Sequence, residues 1–332
     1  MKTKFTLVLL LFVSILLTNC TKEDESYEQG EVTPDTETLL RSNHRANVAF
    51  HHAPIHIQDV DRTGKYSLGG VSDYVTAVDF DGDWNSSNNW NNISTASQAK
   101  AVCYYSVSET STHYYVVYSF FHPRDWTDNF FLYSLDQHEN DLEGILHIIK
   151  KDGSTYGTLQ GIVTVFHLNF YSFKPSGSPL TNGNEDIDGI CDTEYYAGSY
   201  RAITSQEAKG HGIKTYPTLK PGGSDYVKYY PSLTTSEYPS SPYDQHVKYK
   251  LVDIFEPNGF WDHRWNSQFL INGAYFPNTK TSNGQANAPW NWNDGNDNVG
   301  TGIIATDPAA LTNDYFNNLG TFSSSYVYNP YQ

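Results

Sequence analysis

Residues 141–148, DLEGILHI, alternate between apolar and polar side chains, and this alternation decides the fold class. Successive side chains of an extended strand point to opposite faces. Leu142 and Ile148 would therefore share a buried face, while Asp141 and Glu143 would project side by side from the other. Similar strand-like runs, bounded by Gly, Pro, Asn and Ser, occupy residues 113–121, 144–150, 161–170, 225–230 and 245–255.

The composition agrees with a mainly β protein. Aromatic residues make up 15% of the 332 residues, and a chain rich in Tyr, Asn and Gly favours strands and loops over helices. We expect an antiparallel β-sandwich with long decorating loops and few short helices. One helix start is clear, because Asp307 can cap it and Pro308 suits its first position. No linker divides residues 41–332, which are predicted to form a single domain.

The charge balance excludes one class of partner. The chain has 21 Lys and Arg against 37 Asp and Glu, a formal charge of −16. A nucleic-acid binder needs a basic surplus to displace counterions from phosphates, so we expect no nucleic-acid partner. The same balance argues against binding to anionic lipid by charge alone.

The N-terminus predicts export and a lipid anchor. Residues 1–19 have the charges and the short apolar run of a lipoprotein signal peptide, ending before Cys20. Cys20 would carry the lipid, and the acidic residues 20–40 would form a disordered tether. The start of this tether resembles an acidic tag that places lipoproteins on the cell surface in some Gram-negative lineages. We therefore expect a bacterial outer-membrane lipoprotein that is exposed at the cell surface.

Three acidic residues and a histidine are predicted to gather at the start of the 141–148 strand. Asp125 ends the preceding strand-like run, which an antiparallel hairpin would bring alongside, and His138 lies in the incoming loop. With Asp141 and Glu143 they would form a repulsive cluster that a divalent cation relieves. Oxygen ligands favour Mg²⁺ or Ca²⁺, with Mn²⁺ as a further choice. The alternative is that these are ordinary polar residues next to a strand.

Two segments around these residues resemble the necrosis- and ethylene-inducing-like proteins and the related vacuolar sorting protein 62-like group. In residues 118–125, YSFFHPRD, the first two and the last three positions fall on the family pattern Y-S-W-Y-F-P-K-D. In residues 137–143, QHENDLE, His138, Asp141 and Glu143 fall on the pattern G-H-R-H-D-W-E. The resemblance extends over residues 118–216 and implies a family-like core at about residues 100–260. The second segment departs from the pattern at Gln137, Asn140 and Leu142, among other positions, and the loop between Asp125 and His138 is longer than the family's.

The resemblance implies a role for four residues. In the family, the matching side chains hold a divalent cation at the tip of a β-sandwich, where the cation helps to recognise the sugar headgroup of sphingolipids during membrane damage. That role falls here on Asp125, His138, Asp141 and Glu143.

Four further residues are candidates for a ligand pocket beside the cation. Tyr118 and Arg124 belong to the first matching segment, and His211 lies in a Gly-His-Gly stretch similar to one near the family's pocket. His147 shares the predicted strand face of Glu143 and, with His211, is a candidate proton acceptor.

Other patterns are less specific. Asp79, Asp81 and Asp83 surround a Gly turn that could wrap a structural Ca²⁺, although Asx turns explain such spacing more often. Cys103 and Cys191 could form a disulfide in an oxidising compartment. Two clusters could form a metal or sugar platform, although packed His and aromatic residues are more common: His51, His52 and His56, and Trp261, His263 and Trp265. Trp290 and Trp292 belong to an acidic-aromatic loop that could stack on a sugar ring.

Three functions remain compatible with the sequence. The first is a surface lipoprotein that binds a glycan or glycolipid headgroup through a cation and acts like a cytolysin. The second is a metal-dependent hydrolase of the cell envelope. The third is a structural or adhesive lipoprotein whose cations only stiffen loops. No nucleophile or nucleotide-binding motif is present and no separate general base stands out, so we favour binding over catalysis.

Overall fold

The computed structural model describes residues 36–133, 135–282 and 284–332. The predicted signal peptide, Cys20 and residues 21–35 of the tether lie outside the described residues. The α-helices in these ranges are α1 (Thr36–His52), α2 (Asn89–Asn92), α3 (Phe260–His263), α4 (Ile303–Thr306) and α5 (Pro308–Tyr315). Short 3₁₀ turns cover Leu68–Asp73, Ala96–Gln98 and Pro289–Asn291.

Strands supply most of the regular structure. They are β1 (Ile55–Asp59), β2 (Val102–Thr110), β3 (His113–Asp125), β4 (His138–Lys150), β5 (Thr158–Phe166), β6 (Asn169–Pro175), β7 (Thr181–Asn182), β8 (Ile187–Cys191), β9 (Thr193–Tyr196), β10 (Ser199–Gln206), β11 (Ile213–Thr215), β12 (Tyr226–Ser232), β13 (Val247–Asp253), β14 (Phe316–Asn317) and β15 (Tyr326–Tyr328). The predicted mainly β class with few short helices is confirmed.

The principal sheet has the order β11-β10-β1-β12-β13-β2-β3-β4-β5-β6-β8. Its centre, β2 to β6, is antiparallel as predicted. Other pairs are parallel, including β1 with β10 and β12 with β13, so the sheet as a whole is mixed. The sheet curves until β11 packs against β5, which gives it a nearly barrel-like form. A two-layered sandwich therefore describes it only roughly.

Two hydrophobic clusters fill the opposite faces of the sheet. Leu142 and Ile148 belong to the first, which C-terminal residues such as Phe260 cover. Ile145 lies in the second cluster, with Tyr249 and other residues of the curved sheet. The alternation predicted for β4 is confirmed, but its second face is also enclosed, because the sheet curls over it.

The boundaries of several strands differ from the predicted runs. The run 161–170 is not one strand, since β5 ends at Phe166 and β6 begins at Asn169. His167 has a positive φ of 57° at this turn. The apolar side chains continue through the hairpin turn, so the pattern alone did not mark the end of β5.

The helix predicted from Asp307 and Pro308 is present as α5. The Asp307 side chain accepts a hydrogen bond from the Ala310 N–H at its first turn. Helix α1 was not predicted, and its start at Thr36 overlaps the end of the predicted tether. Val48 and Ala49 are fully buried in the second cluster, so burial of its C-terminal half anchors this helix to the sheet.

The cysteines correct one expectation. Cys103 and Cys191 are both free and buried. They lie in different apolar clusters, so the disulfide considered from the sequence is not formed. In the described part of the chain, no helix has the length and apolar character needed to cross a membrane.

Candidate functional site

The register of β3 and β4 builds the candidate site. Asp125, at the end of β3, lies opposite His138, at the start of β4. The His138 Nε2 atom is 3.2 Å from the Asp125 Oδ2 atom. Asp141 and Glu143 follow on the same face of β4. The hairpin therefore brings together the four residues that the sequence singled out.

All four line one cavity of about 370 Å³. The other walls come from the loop before β4, the β5–β6 turn and the C-terminal segment. The lining residues are Asp125, Leu135, Asp136, His138, Asp141, Leu142, Glu143, His167, Leu168, Gly284, Gln285, Ala286, Asn287 and Trp292. The cavity thus combines an acidic floor with an apolar rim.

Asn140 fixes the backbone between His138 and Asp141. It has a positive φ of 66°, a conformation that Asn tolerates better than most residues. Its buried side chain donates hydrogen bonds to the Ser86 and Pro277 carbonyl oxygens, at 2.8 and 2.9 Å. Asn140, which departs from the family pattern, therefore holds two loops against the site by hydrogen bonds.

His211 lies behind the cavity between two carboxylates. Its Nδ1 atom is 3.1 Å from Asp141 Oδ2, and its Nε2 atom is 3.3 Å from Asp73 Oδ1. The imidazole is fully buried. Asp73 also accepts hydrogen bonds from the Trp126 indole and the Lys209 N–H. His211 therefore orients Asp141 and lies outside the cavity lining.

These contacts set the charge of the two histidines. Burial lowers the pKa of His138, but its hydrogen bond to Asp125 and the nearby carboxylates raise the value to about 9. Burial likewise opposes protonation of His211, whereas Asp141 and Asp73 raise its pKa to about 10. Both imidazoles are consequently protonated at neutral pH, and they offset part of the negative charge of the site.

Glu143 is the least compensated carboxylate. One oxygen accepts the His167 N–H at 3.1 Å. The other oxygen, Oε2, is buried and has no hydrogen-bond partner within the described residues. Burial and then the charges of Asp141 and Asp125 hold the pKa of Glu143 well above its ordinary value. A buried, unpartnered carboxylate oxygen is costly unless a proton or a cation satisfies it.

The carboxylate side chains of the cavity are of the chemical type that binds a hard divalent cation. Carboxylate oxygens are the usual ligands of Mg²⁺ and Ca²⁺, and Asp125 and Asp141 each use only Oδ2 in the contacts described above. Among the described residues, no three His, Cys, Asp or Glu side chains converge as ligands of one ion. A protonated histidine cannot coordinate a metal ion, so His138 would have to lose its proton to act as a ligand.

Trp292 forms the inner wall of the cavity. Its indole Nε1 donates to the Leu142 carbonyl oxygen at 2.9 Å. A Cβ atom at Gly144 would lie 2.2 Å from the Trp292 ring. Gly144 is therefore needed for this close approach. The sequence had singled out Trp292 only as part of an acidic-aromatic loop.

None of the four candidate pocket residues lines the cavity: His211 lies behind it, and the other three are buried elsewhere. Tyr118 is buried and donates to the Ala49 carbonyl oxygen. Arg124 is buried and donates to the carbonyl oxygens of Trp90 and Tyr66. His147 is fully buried in contact with the Tyr118 ring. The expectation of a shared ligand pocket is wrong for these residues, because both faces of the sheet are enclosed.

The segment proposed for a structural Ca²⁺ forms ordinary turns. The Asn85 N–H donates to Asp83 Oδ1 at 2.8 Å, and Asp81 Oδ1 accepts the Asp83 N–H. These contacts are typical of Asx turns, which were the alternative to a Ca²⁺ site at Asp79, Asp81 and Asp83.

The sequence missed several residues that complete the site. Asp73, which contacts His211, is distant in the sequence from the other residues of the site. The His167 Nε2 atom lies 2.7 Å from the Glu207 Oε1 atom. The loop between β3 and β4 and the β5–β6 turn also carry exposed apolar side chains that no periodicity marks: Phe130 at 75%, Phe131 at 84%, Leu135 at 56% and Leu168 at 73% exposure. Of these, Leu135 and Leu168 line the cavity. The loop between Asp125 and His138 contains three of these four residues, and its length, greater than in the family that the sequence resembles, was the one available signal.

Comparisons with known proteins give matches only among solved structures. No family model and no curated protein matches the chain. One similar structure is described as a toxin fold for microbial attack and plant defence, with 13% identity, a TM-score of 0.32 and coverage of 69% of this chain and 77% of that chain.

Another is Necrosis and Ethylene inducing Protein 2 from the causal agent of cocoa's witches broom disease, with 12% identity, a TM-score of 0.28 and coverage of 53% and 70%. A third is NLPPya in complex with mannosamine, with 13% identity, a TM-score of 0.31 and coverage of 54% and 69%. The solved structures that are similar to this chain thus include a necrosis and ethylene inducing protein, and at these identities and TM-scores they transfer no ligand or activity to this chain.

Proposed function

We propose that the cavity binds a divalent cation and, through it, the sugar headgroup of a glycolipid at a membrane surface. The observation that carries this proposal is the group of Asp125, Asp141 and Glu143 in one cavity, with the Glu143 Oε2 atom buried and unpartnered. The chain itself would be held at the bacterial surface through Cys20, as the sequence predicts.

The acidic floor supports the cation. Asp125, Asp141 and Glu143 would supply oxygens to Mg²⁺, Ca²⁺ or Mn²⁺, and His138 would join them in its neutral form. Without the cation, burial and mutual repulsion hold the pKa values of Asp125 and Glu143 above their ordinary values. A bound cation would supply open coordination positions for sugar hydroxyl groups.

The apolar rim supports a membrane-borne ligand over a soluble glycan. Phe130 and Phe131, in the same loop as Leu135 of the cavity lining, contact each other with ring centroids 5.8 Å apart and are largely exposed. Leu135 and Leu168 belong both to the rim and to the cavity lining. Exposed apolar groups of this size beside a polar cavity are typical of protein or membrane contact sites. The acidic chain would avoid anionic lipid, so a neutral headgroup fits best.

A hydrolase is the second candidate, and the raised pKa of Glu143 favours it. A carboxyl group whose pKa burial and neighbouring charge hold well above its ordinary value could donate a proton to a leaving group. The bases suggested by the sequence do not serve, because His147 and His211 are outside the cavity lining. We therefore place binding first.

The deciding experiment measures metal content and vesicle binding of the purified full-length chain in mild detergent. We expect about one equivalent of Mg²⁺, Ca²⁺ or Mn²⁺ by mass spectrometry, and binding to phosphatidylcholine vesicles that contain a neutral glycosylceramide. EDTA or Asp141→Asn should abolish both, while Asp192→Asn, at an exposed carboxylate, should change neither. Replacement of Phe130 and Phe131 by Ser should spare the cation and weaken vesicle binding about tenfold or more.

Three results would refute the proposal. A chain that takes up none of the three cations has no metal site. Cation binding without any glycolipid binding would indicate a structural ion. Turnover of the glycolipid that stops in Glu143→Gln would favour the hydrolase.

A further inference from the structure

A second cavity, of about 500 Å³, lies at the other end of β5 from the candidate site. His51 and His52, at the end of α1, form one wall, and Gln160, near the start of β5, forms another. Tyr200 of β10 and the turn 175–179 complete it. At about 3.3 Å per residue, Gln160 lies about 20 Å along the strand from His167 of the first cavity.

The lining of this cavity carries no Asp, Glu, Lys or Arg among the described residues. Its two histidines are neutral at neutral pH, because burial lowers the pKa of His52 to about 4 and also lowers that of His51. A cavity without fixed charge in a chain of net charge −16 selects an uncharged ligand. This contrasts with the acidic first cavity.

Gln160 offers a hydrogen-bonding atom with no partner. The residue is only 9% exposed, and its Oε1 atom has no hydrogen bond within the described residues. Such an acceptor is normally satisfied in a native protein, by the protein itself or by a bound molecule. Gln160 lines the cavity, so a turn of its amide group would bring this atom to a hydroxyl or amide N–H of a ligand there.

Tyr200 supplies a flat apolar surface at the same cavity. Its side chain is 73% exposed, and it packs edge-on against Tyr195 with ring centroids 5.3 Å apart. A large exposed aromatic side chain beside hydrogen-bonding groups suits a ligand with one apolar face and several hydroxyl groups. The face of a pyranose ring has these properties.

The turn 175–179 forms a preformed wall of the cavity. The Ser178 hydroxyl donates to the Gln160 carbonyl oxygen at 2.7 Å and accepts the Leu180 N–H. Pro175 and Pro179 restrict the backbone on either side of this turn. A preformed wall lowers the entropy cost of binding, which matters for a small, weakly bound ligand.

We propose that this cavity is a second carbohydrate site that binds one uncharged pyranose residue without a metal ion. Tyr200 stacks on the face of the sugar ring, and Gln160 accepts a hydrogen bond from it. The site is independent of the cation proposed for the first cavity.

Titration of the full-length chain with methyl glycosides of glucose, galactose, mannose and N-acetylglucosamine, in EDTA, tests the site by calorimetry and saturation-transfer NMR. We expect at least one glycoside to bind, and binding to survive Asp141→Asn. Tyr200→Ala should weaken it about tenfold, or about 1.4 kcal/mol, while Tyr238→Ala, at another exposed tyrosine, should not. Gln160→Ala should weaken it as well, with folding checked by thermal unfolding.

Two further arms identify the source of the sugar. Soluble oligosaccharides of the bound sugar and vesicles with the matching glycosylceramide distinguish a polysaccharide from a lipid. Absence of binding for all four glycosides, or equal binding in Tyr200→Ala, would overturn the site. Binding that EDTA or Asp141→Asn removes belongs to the first cavity and would also overturn it.

Discussion

Buried histidines lie beside both ends of the β4–β5 hairpin, and those at one end have the opposite charge state to those at the other. At the acidic end, carboxylates raise the pKa of His138 to about 9 and that of His211 to about 10. At the other end, burial without a carboxylate lowers the pKa of His147 to about 3 and that of His52 to about 4. Burial alone therefore does not set the charge of a histidine, because a contacting carboxylate outweighs the desolvation.

The largest expected effect comes from removing one histidine at each end. His211→Leu would leave Asp73 and Asp141 without their buried counter-charge, which typically costs about 3–5 kcal/mol. His147→Leu should change the free energy of unfolding by less than about 1.5 kcal/mol, because neither ring nitrogen of His147 has a hydrogen-bond partner within the described residues. Urea unfolding at pH 7 measures both.

Equal losses in the two variants would contradict the comparison, since both histidines would then act only as packing. A His211→Leu variant as stable as the wild type would show that the two carboxylates find other partners or become protonated. His211→Gln, which keeps polar atoms but no positive charge, should fall between the wild type and His211→Leu.

The two ends should also respond to pH in opposite directions. His52 and His147 are held neutral, so the unfolded chain binds more protons below pH 6.5. Stability therefore falls as the pH drops from about 6.5 toward 4. His138 and His211 add stability that is complete below about 6.5 and is lost as the pH rises toward 9–10. Each histidine changes stability by at most about 1.4 kcal/mol per pH unit within its window.

Unfolding experiments from pH 4 to pH 10 would show a maximum near neutrality. Hydrogen exchange would show which histidines cause the acid limb and the alkaline limb of this stability profile. Amides near His52 and His147 should lose protection first in acid, and amides near His138 should lose it first in alkali. In the His147→Leu variant the acid limb should be shallower and the alkaline limb unchanged. A stability profile without an alkaline limb would refute the charged state of His138 and His211.

The smallest expected effect tests the wall of the acidic cavity. Gly144→Ala places a Cβ atom 2.2 Å from the Trp292 ring and 2.5 Å from the Tyr118 carbonyl oxygen, and overpacking of this kind costs about 1–3 kcal/mol. The displaced indole should also weaken ligand binding in the acidic cavity, while the neutral cavity keeps its sugar binding. Gly223→Ala is the control, because a Cβ atom there meets nothing within 4 Å. Equal unfolding free energies for the two variants would show that Trp292 moves without cost.

The sequence alone determined the local elements of the site. Alternation in residues 141–148 gave the two faces of β4, and the hairpin brought Asp125 beside His138, as the register confirms. Asp307 and Pro308 marked the start of α5. These features depend on contacts between residues close in the sequence or on adjacent strands, so periodicity and capping rules are sufficient for them.

Only the tertiary structure decided which face of each strand is enclosed and which charges meet. The curl of the sheet buries His147 and Tyr118, which the pattern placed at a ligand pocket. His211 contacts Asp73 across 138 positions, a separation that no local pattern reports. Protonation of His211 and neutrality of His147 both follow from such long-range neighbours, because the free energy of a buried charge depends on what lies within a few ångströms of it.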